Sequence, residues 1–208
     1  MPNPSFDLYL VTDRTQTRGR DLLWVLEQAL EGGVNAVQLR EKNLSGRHLL
    51  ELAEKTRALC ERYSAPLFIN DRVDVALAVN AAGVQLGKAS FPIEEARTLL
   101  GRGKLIGASV HSPEEVTYAK SAGADFVVFG PIYFTTSKAQ FGAPQGLSAL
   151  RKIVEVSMLP VYAIGGITSK NTAEVRDAGA NGIALISGII AAENPKKAAA
   201  RIAQLLRS

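Results

Sequence analysis

The sequence is poor in the residues that form disulfides or bind structural metals. Its 208 residues include one cysteine, Cys60, and two histidines, His48 and His111. A lone cysteine cannot form an intramolecular disulfide, and so few Cys and His side chains exclude a zinc cluster of the usual spacing. Cys60 lies in a helical pattern, so we expect it to be a buried or half-buried small apolar side chain. The chain is therefore neither a disulfide scaffold nor a zinc module.

Long apolar runs and blocks of like charge are also missing. No stretch approaches the ~20 apolar residues that span a bilayer, and the first residues lack a signal-peptide pattern. The 24 Lys and Arg are interspersed with 20 Asp and Glu, for a formal net charge of +4. This distribution argues against a nucleic-acid-binding face and permits a basic pocket for an anion. We expect a cytoplasmic protein that binds small anionic molecules, not membranes or nucleic acids, and a homo-oligomer remains an option.

Short β-rich runs alternate with amphipathic helical segments from residue 8 onward. Gly33, Gly123 and Gly179 follow three of these helices, where a left-handed C-cap favours glycine. About eight units of roughly 25 residues, with mostly continuous apolar strands, predict a single closed parallel (β/α)8 TIM barrel over residues 1–208. Periodicity cannot show closure, so an open parallel sheet is the alternative.

The apolar runs give the bounds of the predicted elements. Strands are predicted at residues 8–12, 36–39, 67–70, 84–86, 105–108, 126–129, 161–164 and 183–186. Helices are predicted at residues 22–30, 45–63, 73–79, 93–100, 113–122, 147–156, 171–178 and 195–206.

The carboxyl ends of the strands are where a barrel places its active site. Arg40 and Lys42 follow the second predicted strand. Arginine offers a planar fork to two oxygens and lysine adds a mobile charge, so the pair suits a phosphate or diphosphate. A solvated loop with a local ion pair to Glu41 is the alternative. Polar residues also follow the other strands, at residues 12–14, 70–72, 85–90, 109–111, 135–138, 165–166 and 187–188.

Asp71 follows the third predicted strand directly. Mg²⁺ usually takes one or two protein carboxylates together with substrate phosphate oxygens, so Asp71 is a candidate magnesium ligand. The competing interpretation is that Asp71 caps the helix that begins at residue 73, because Asp is a favoured N-cap.

Glycines after the last two strands and a long loop after the sixth also suit an anion. Gly166 and the segment 186–188 lie where barrels bind phosphate through backbone N–H groups. The loop 130–145 carries hydroxyls and one cation at residues 135–138, a composition that suits a lid, with a solvated loop as the alternative. His111, just past the fifth strand, is a candidate acid or base, although a histidine beside the Ser112 cap can be purely structural.

Six motifs, in this order, resemble the thiamine phosphate synthase family over nearly the whole chain. They are residues 8–13, 38–42, 70–72, 135–138, 163–167 and 186–189. The resemblance implies an Mg²⁺-assisted coupling of hydroxymethylpyrimidine diphosphate to a thiazole phosphate, with release of pyrophosphate. It also implies diphosphate contacts from Arg40, Lys42, Asn70 and Lys138, Mg²⁺ at Asp71, pyrimidine contacts from Gln38 and Ser109, thiazole contacts from Thr135 and Ser137, and phosphate contacts from Gly166, Ile186 and Ser187.

One segment departs from the synthase pattern. Residues 85–90 read Gln-Leu-Gly-Lys-Ala-Ser, where the synthases generally carry His-Leu-Gly-Gln-Glu-Asp. Ser90 therefore replaces the second metal-binding Asp, and Lys88 adds positive charge. The segment looks more like the related thiazole tautomerases, in which a His matching His111 transfers protons. The sequence thus favours a synthase, with a tautomerase and a non-catalytic thiamine-precursor binding protein as the alternatives.

Overall fold

The computed structural model describes residues 4–135 and 143–207. The eight strands are β1 Leu8–Val11, β2 Ala36–Leu39, β3 Leu67–Asn70, β4 Gly83–Leu86, β5 Leu105–Val110, β6 Phe126–Phe129, β7 Val161–Ile164 and β8 Gly182–Leu185. The helices are α1 Leu22–Glu31, α2 Gly46–Arg62, α3 Val73–Ala78, α4 Ile93–Leu100, α5 Pro113–Ala122, α6 Gly146–Val156, α7 Thr172–Asp177, α8 Ser187–Ile190 and α9 Pro195–Arg207, and a 3₁₀ helix spans Arg14–Gln16.

The sheet closes on itself. Each strand pairs in parallel with the next, and β1 also pairs with β8, where Leu8 lies opposite Ile183. The strands are apolar and almost fully buried because the barrel interior covers one face and the helices cover the other. The predicted (β/α)8 barrel is confirmed, and closure excludes the open sheet. No helix among the described residues is long and apolar enough to cross a membrane.

Some element bounds differ from the predictions. β5 extends to Val110, two residues past its predicted end, and β8 lies one residue earlier than predicted. The 3₁₀ helix and α8 were not predicted, because three or four residues are too few for a helical period to register. Both short helices follow a strand at the rim where the predicted site residues lie.

Aromatic side chains fill the amino-terminal half of the barrel interior. Tyr9, Phe68, Phe126 and Tyr162 point inward from four strands, and Phe6 enters below them and stacks on Tyr162 at 4.5 Å between ring centroids. Their rings meet mostly edge to face, which is the favoured arrangement for aromatic pairs. The rings form a solid floor beneath the carboxyl-terminal rim.

Two further buried groups bear on stability. Arg97 of α4 forms an ion pair with Asp125 at 2.5 Å, and Arg97 and Asp125 expose only 17% and 8% of their side chains. Cys60 is fully buried in α2, as predicted, and burial raises the pKa of its thiol to about 12. Neither group faces the rim.

Candidate active site

Most predicted site residues lie at the carboxyl ends of the strands. Those within the described part of the chain are Gln38, Arg40, Lys42, Asn70, Asp71, Ser109, His111, Thr135, Gly166, Ile186 and Ser187. Because parallel strands of a closed barrel end on one rim, these positions share one end of the molecule. The predicted contacts Ser137 and Lys138 lie outside the described residues.

The segment after β2 lines a cavity of about 240 Å³ together with the turn after β1. Arg40 is half-buried there and Lys42 is exposed. Among residues 4–135 and 143–207, neither side chain forms an ion pair with a carboxylate. Glu41, which lies between them in the sequence, forms an ion pair with Arg14 instead, at 3.7 Å between Arg14 Nε and Glu41 Oε2. The alternative of a local ion pair between Glu41 and these two cations is therefore wrong.

The charge of Arg40 contributes to lowering the pKa of Asp13, which lines the same cavity. Burial acts to raise the pKa of Asp13, but hydrogen bonds from Thr15 and Gln16 and the nearby Arg40 charge together hold it below the usual value. Asp13 itself caps the 3₁₀ helix by accepting from the Thr15 N–H at 3.1 Å. Within the described residues, the cavity thus holds Arg40 and Lys42 without ion pairs to a carboxylate, while its third cation, Arg14, pairs with Glu41.

Two buried amides lie above the aromatic floor. Gln38 donates from Nε2 to the Tyr9 hydroxyl at 3.2 Å, and Gln85 donates from Nε2 to the Ser109 hydroxyl at 3.2 Å. Burial raises the pKa of the Tyr9 phenol, so it remains a neutral hydroxyl. Gln85 Oε1 is buried without a hydrogen-bond partner among the described residues. An apolar floor edged by amides suits a flat ring that carries hydrogen-bonding groups.

Asp71 lies at the start of the turn after β3 with a positive φ of 62°. This conformation is uncommon outside glycine and typical of positions under tertiary constraint. The helix that follows has Arg72 at its N-cap position, with no side-chain capping bond. The competing interpretation of Asp71 as an N-cap is therefore wrong, and its carboxylate is directed elsewhere.

Both carboxylate oxygens of Asp71 accept hydrogen bonds. Asn70 donates from Nδ2 to Oδ2 at 2.6 Å, and the Ser90 hydroxyl donates to Oδ1. The Ser90 oxygen also accepts from the Gly87 N–H at 2.6 Å. Ser90, the residue that departs from the synthase pattern, therefore forms a hydrogen bond with Asp71, the candidate metal ligand.

The Asp71 carboxylate fits a magnesium ion that is also bound by a substrate. Among the described residues it does not belong to a metal site made of protein ligands alone. No cluster of three or more His, Cys, Asp or Glu side chains that could hold a metal occurs among the described residues. Asp71 supplies one carboxylate, and each of its oxygens has a second lone pair beyond the hydrogen bond that it accepts. One carboxylate with phosphate oxygens is a common magnesium ligand set.

His111 is held by the backbone at Gly130, one residue past β6. Its Nδ1 lies 2.8 Å from the Gly130 carbonyl oxygen, so Nδ1 carries a proton and donates it. In the neutral form of the ring, Nε2 is then the unprotonated nitrogen. Its backbone N–H donates to Glu115 at 2.7 Å, and the side chain is exposed. His111 can therefore act as a base at Nε2 while its ring orientation is fixed.

At the rim, the backbone after β7 lies very close to the backbone of the loop after β6. A Cβ atom on Gly166, whose φ is 66°, would lie 2.7 Å from the Phe134 carbonyl oxygen. Glycine is therefore required there for packing against the loop that leads to Thr135, independently of any ligand. Ile186 is partly buried and Ser187, the first residue of α8, is exposed. These segments lie beside one another at the mouth.

Comparison with known proteins gives one consistent description. A sequence profile described as thiamine monophosphate synthase matches residues 8–189. A curated relative from Geobacter sulfurreducens, with a provisional thiamine-phosphate synthase name, is 51% identical over 99% of this chain and 97% of its own. A thiamine-phosphate synthase from Chloroflexus aurantiacus is 45% identical over 96% of this chain and 92% of its own. The solved thiamine phosphate pyrophosphorylase from Pyrococcus furiosus has a TM-score of 0.89 at 42% identity, covering 97% of this chain and 96% of that one.

Proposed function

The chain belongs to the thiamine monophosphate synthase family, and from that premise we propose that it couples hydroxymethylpyrimidine diphosphate to a thiazole phosphate. The bond between the pyrimidine methylene carbon and the diphosphate oxygen breaks, and pyrophosphate leaves with the electron pair. The thiazole nitrogen donates its lone pair to the methylene carbon. The products are thiamine phosphate and pyrophosphate. Because both substrates are phosphorylated anions, we propose the cytoplasm as the site of this reaction.

The observation that carries the proposal is the pair of cations without carboxylate partners among the described residues. Arg40 and Lys42 line one cavity, and within residues 4–135 and 143–207 neither charge is neutralised by an ion pair. Negative charge grows on the leaving diphosphate as its bond breaks, so fixed cations stabilise the transition state more than the ground state. Asn70 and Lys138 are proposed to complete this diphosphate site.

The amides above the aromatic floor are proposed to hold the pyrimidine. Gln38 and Ser109 have the hydrogen-bonding groups that a ring with nitrogen acceptors and an exocyclic amine requires. The buried aromatic layer beneath them excludes water from one side of the methylene carbon. This arrangement orients the carbon toward an incoming nitrogen, which is the main requirement of a displacement at a bound substrate.

Asp71 is proposed to hold Mg²⁺ together with diphosphate oxygens. The ion would supply charge neutralisation on the leaving group. Asn70 donates to the same carboxylate and fixes its orientation. The Ser90 hydroxyl, which holds the other oxygen, must turn or share that oxygen when an ion binds.

The opposite side of the mouth is proposed to bind the thiazole phosphate. Backbone N–H groups at Gly166, Ile186 and Ser187 follow the last two strands, the usual phosphate position of barrels. Thr135 and Ser137 are proposed to lie against the thiazole ring. The two phosphorylated substrates then approach from opposite sides of the rim, with the reacting atoms between them.

The direct test supplies the purified protein with pyrimidine diphosphate, thiazole phosphate and Mg²⁺. Thiamine phosphate and pyrophosphate should appear in equal amounts. A parallel assay supplies the thiazole carboxylate phosphate alone. Absence of thiamine phosphate together with rapid isomerisation would overturn the synthase assignment, and binding of both substrates without either product would identify a non-catalytic binding protein.

The role of Arg40 has its own test. Arg40→Ala should weaken binding of pyrimidine diphosphate by about 10- to 100-fold, since it removes a charged hydrogen-bonding partner, and should leave thiazole phosphate binding nearly unchanged. Arg102→Ala is the matched control because Arg102 is exposed before β5, at the opposite end of the barrel. Equal weakening of both ligands in Arg40→Ala would remove Arg40 from the diphosphate site.

Thiazole isomerisation is the second candidate because of His111 and Ser90. The hydrogen bond from His111 Nδ1 to the Gly130 carbonyl leaves Nε2 available as a base. The Ser90 hydroxyl donates a hydrogen bond to one oxygen of Asp71, the proposed metal ligand. Coupling needs no proton transfer to an imidazole, whereas isomerisation does. His111→Ala should therefore retain most coupling activity. Loss of isomerisation with unchanged coupling would assign the two activities to different groups.

A further inference from the structure

A buried chain of hydrogen bonds links the rim segment after β2 to the end of β1. The Arg40 N–H donates to Thr12 Oγ1 at 2.9 Å, and Thr12 Oγ1 donates its proton to Glu41 Oε1 at 2.6 Å. Thr12 is fully buried, and Glu41 exposes 4% of its side chain. The hydroxyl direction is fixed because a backbone N–H can only donate.

This chain of bonds begins where the strand ladder ends. Arg40 comes one residue after β2, and Thr12 comes one residue after β1. The Arg40 N–H would lack a strand partner at this position, and the threonine side chain supplies one. Glu41 adds a second attachment, since its two oxygens accept from the Arg14 N–H at 3.1 and 3.2 Å. The segment is therefore tied to β1 both through its backbone and through a side chain.

The negative charge of Glu41 is unexpected beside a proposed anion site. Glu41 lies between two cations proposed to bind an anion, and burial raises the pKa of its carboxyl group. A carboxylate beside an anion site weakens anion binding by repulsion. Its burial against the turn after β1 therefore needs a compensating role, and its hydrogen bonds indicate what that role is.

We propose that Thr12 and Glu41 are positioning residues that hold Arg40 and Lys42 in the geometry required for the diphosphate. This inference rests on the proposed function of the cation pair. Preorganised binding groups give affinity because the ligand does not have to order them. Neither Thr12 nor Glu41 contacts the ligand in this scheme, and both act through the backbone of residues 40–42.

The test measures binding of pyrophosphate, in the presence of Mg²⁺, by titration calorimetry. Thr12→Val keeps the shape of the side chain and removes both hydrogen bonds, so we expect the Kd to rise about tenfold, the change produced by about 1.4 kcal/mol. Thr12→Ser keeps the hydroxyl and should bind nearly as the wild type does. Binding of thiazole phosphate should be the same in all three proteins.

Glu41→Gln separates positioning from charge by the sign of its effect. The glutamine oxygen at the Oε1 position can still accept from Thr12 and from the Arg14 N–H, but the NH₂ group replaces Oε2, so a donor then faces the Arg14 N–H and the Arg14 guanidinium. Positioning predicts weaker pyrophosphate binding, whereas a pure charge effect predicts tighter binding. Asp13→Asn is the matched control, since it removes a negative charge from the same cavity and retains a residue able to cap the 3₁₀ helix. This control should bind pyrophosphate as well as or better than the wild type.

The outcomes distinguish this inference from the proposed function. If the wild type binds no pyrophosphate, the proposed cation site itself fails. If the wild type binds and Thr12→Val binds equally well, or Glu41→Gln binds more tightly in step with Asp13→Asn, the positioning role is overturned. Thermal unfolding of each variant monitors the fold, and if Thr12→Val does not fold, the sign of the Glu41→Gln effect decides.

Discussion

Replacing Ser90 with Asp is the sharpest test of the proposed magnesium site at Asp71. In the structure the Ser90 hydroxyl donates to Asp71 Oδ1 and accepts from the Gly87 N–H. Ser90→Asp removes the donor to Asp71 and puts a second negative charge beside it. The variant should therefore be less stable than the wild type without an ion and should regain stability when a divalent cation binds both carboxylates.

The magnitude follows from two terms. A hydrogen bond to a charged group contributes about 1.5–3 kcal/mol. Two like charges about 4 Å apart repel by about 4 kcal/mol at an effective dielectric constant near 20, and the half-exposed position of Asp71 and Ser90 screens much of this repulsion. A loss of about 2–4 kcal/mol corresponds to a fall in Tm of roughly 5–15 °C for a chain of this size.

Thermal unfolding with and without Mg²⁺, in the absence of any phosphate, measures both parts of this prediction. At an ion concentration of about 100 times its Kd, binding to the folded state should restore about 2.7 kcal/mol. Ser90→Ala is the control, because it loses the hydrogen bond to Asp71 but gains no carboxylate and should not respond to the ion. If Mg²⁺ raises the Tm of the wild type, Ser90→Ala and Ser90→Asp equally, the two side chains do not form a metal site.

Three further predictions concern the fold. Arg97→Met leaves a buried carboxylate without its ion-pair partner and should lower the free energy of unfolding by about 3–5 kcal/mol, whereas Met at the more exposed Arg72 should cost less than about 1 kcal/mol in the same denaturant titration. Gly83→Ala would force a Cβ atom into the backbone of β5 and should cost at least roughly 1–3 kcal/mol, while a Cβ at Gly103 meets open space, so equal unfolding midpoints would contradict the packing. Because burial raises the pKa of the Cys60 thiol to about 12, iodoacetamide at about pH 8 should label it only as fast as the protein unfolds, and faster labelling would show an accessible thiolate.

The barrel could be predicted from the sequence because its strands are continuous apolar runs separated by helices with recognisable caps. The predicted cap Ser112 does accept from the Glu115 backbone N–H, and Ser45 caps α2 in the same way by accepting from the His48 backbone N–H. Closure was predicted from the number of repeats alone, because the pairing between Leu8 and Ile183 that closes the sheet joins residues remote in the chain. Local periodicity carries no information on such contacts.

The position of the candidate site at the carboxyl ends of the strands could be predicted, but the hydrogen bonds within it could not. Arg40 and Lys42 stand out because charge follows an apolar run abruptly. The role of Thr12 could not be read from its place in a polar cluster, because it depends on one buried oxygen that forms hydrogen bonds with two residues of the segment after β2. The competing assignment of Asp71 as a helix cap followed a sound propensity, but a positive φ turned the residue out of the capping position.

The hydrogen bonds at Asp71 lead to an expectation about the order of binding. Without an ion, Asn70 and Ser90 already satisfy one lone pair on each carboxylate oxygen, so the folded protein gains little by binding Mg²⁺ alone. The diphosphate brings the additional charge and oxygens that a magnesium ion requires. On the proposed function, Asp71 would hold Mg²⁺ together with the diphosphate oxygens, and the Ser90 hydroxyl would donate to Asp71 whenever no ion is bound. A second carboxylate at position 90 would strengthen binding of the ion alone, whereas a serine there would make the proposed metal binding depend on the substrate.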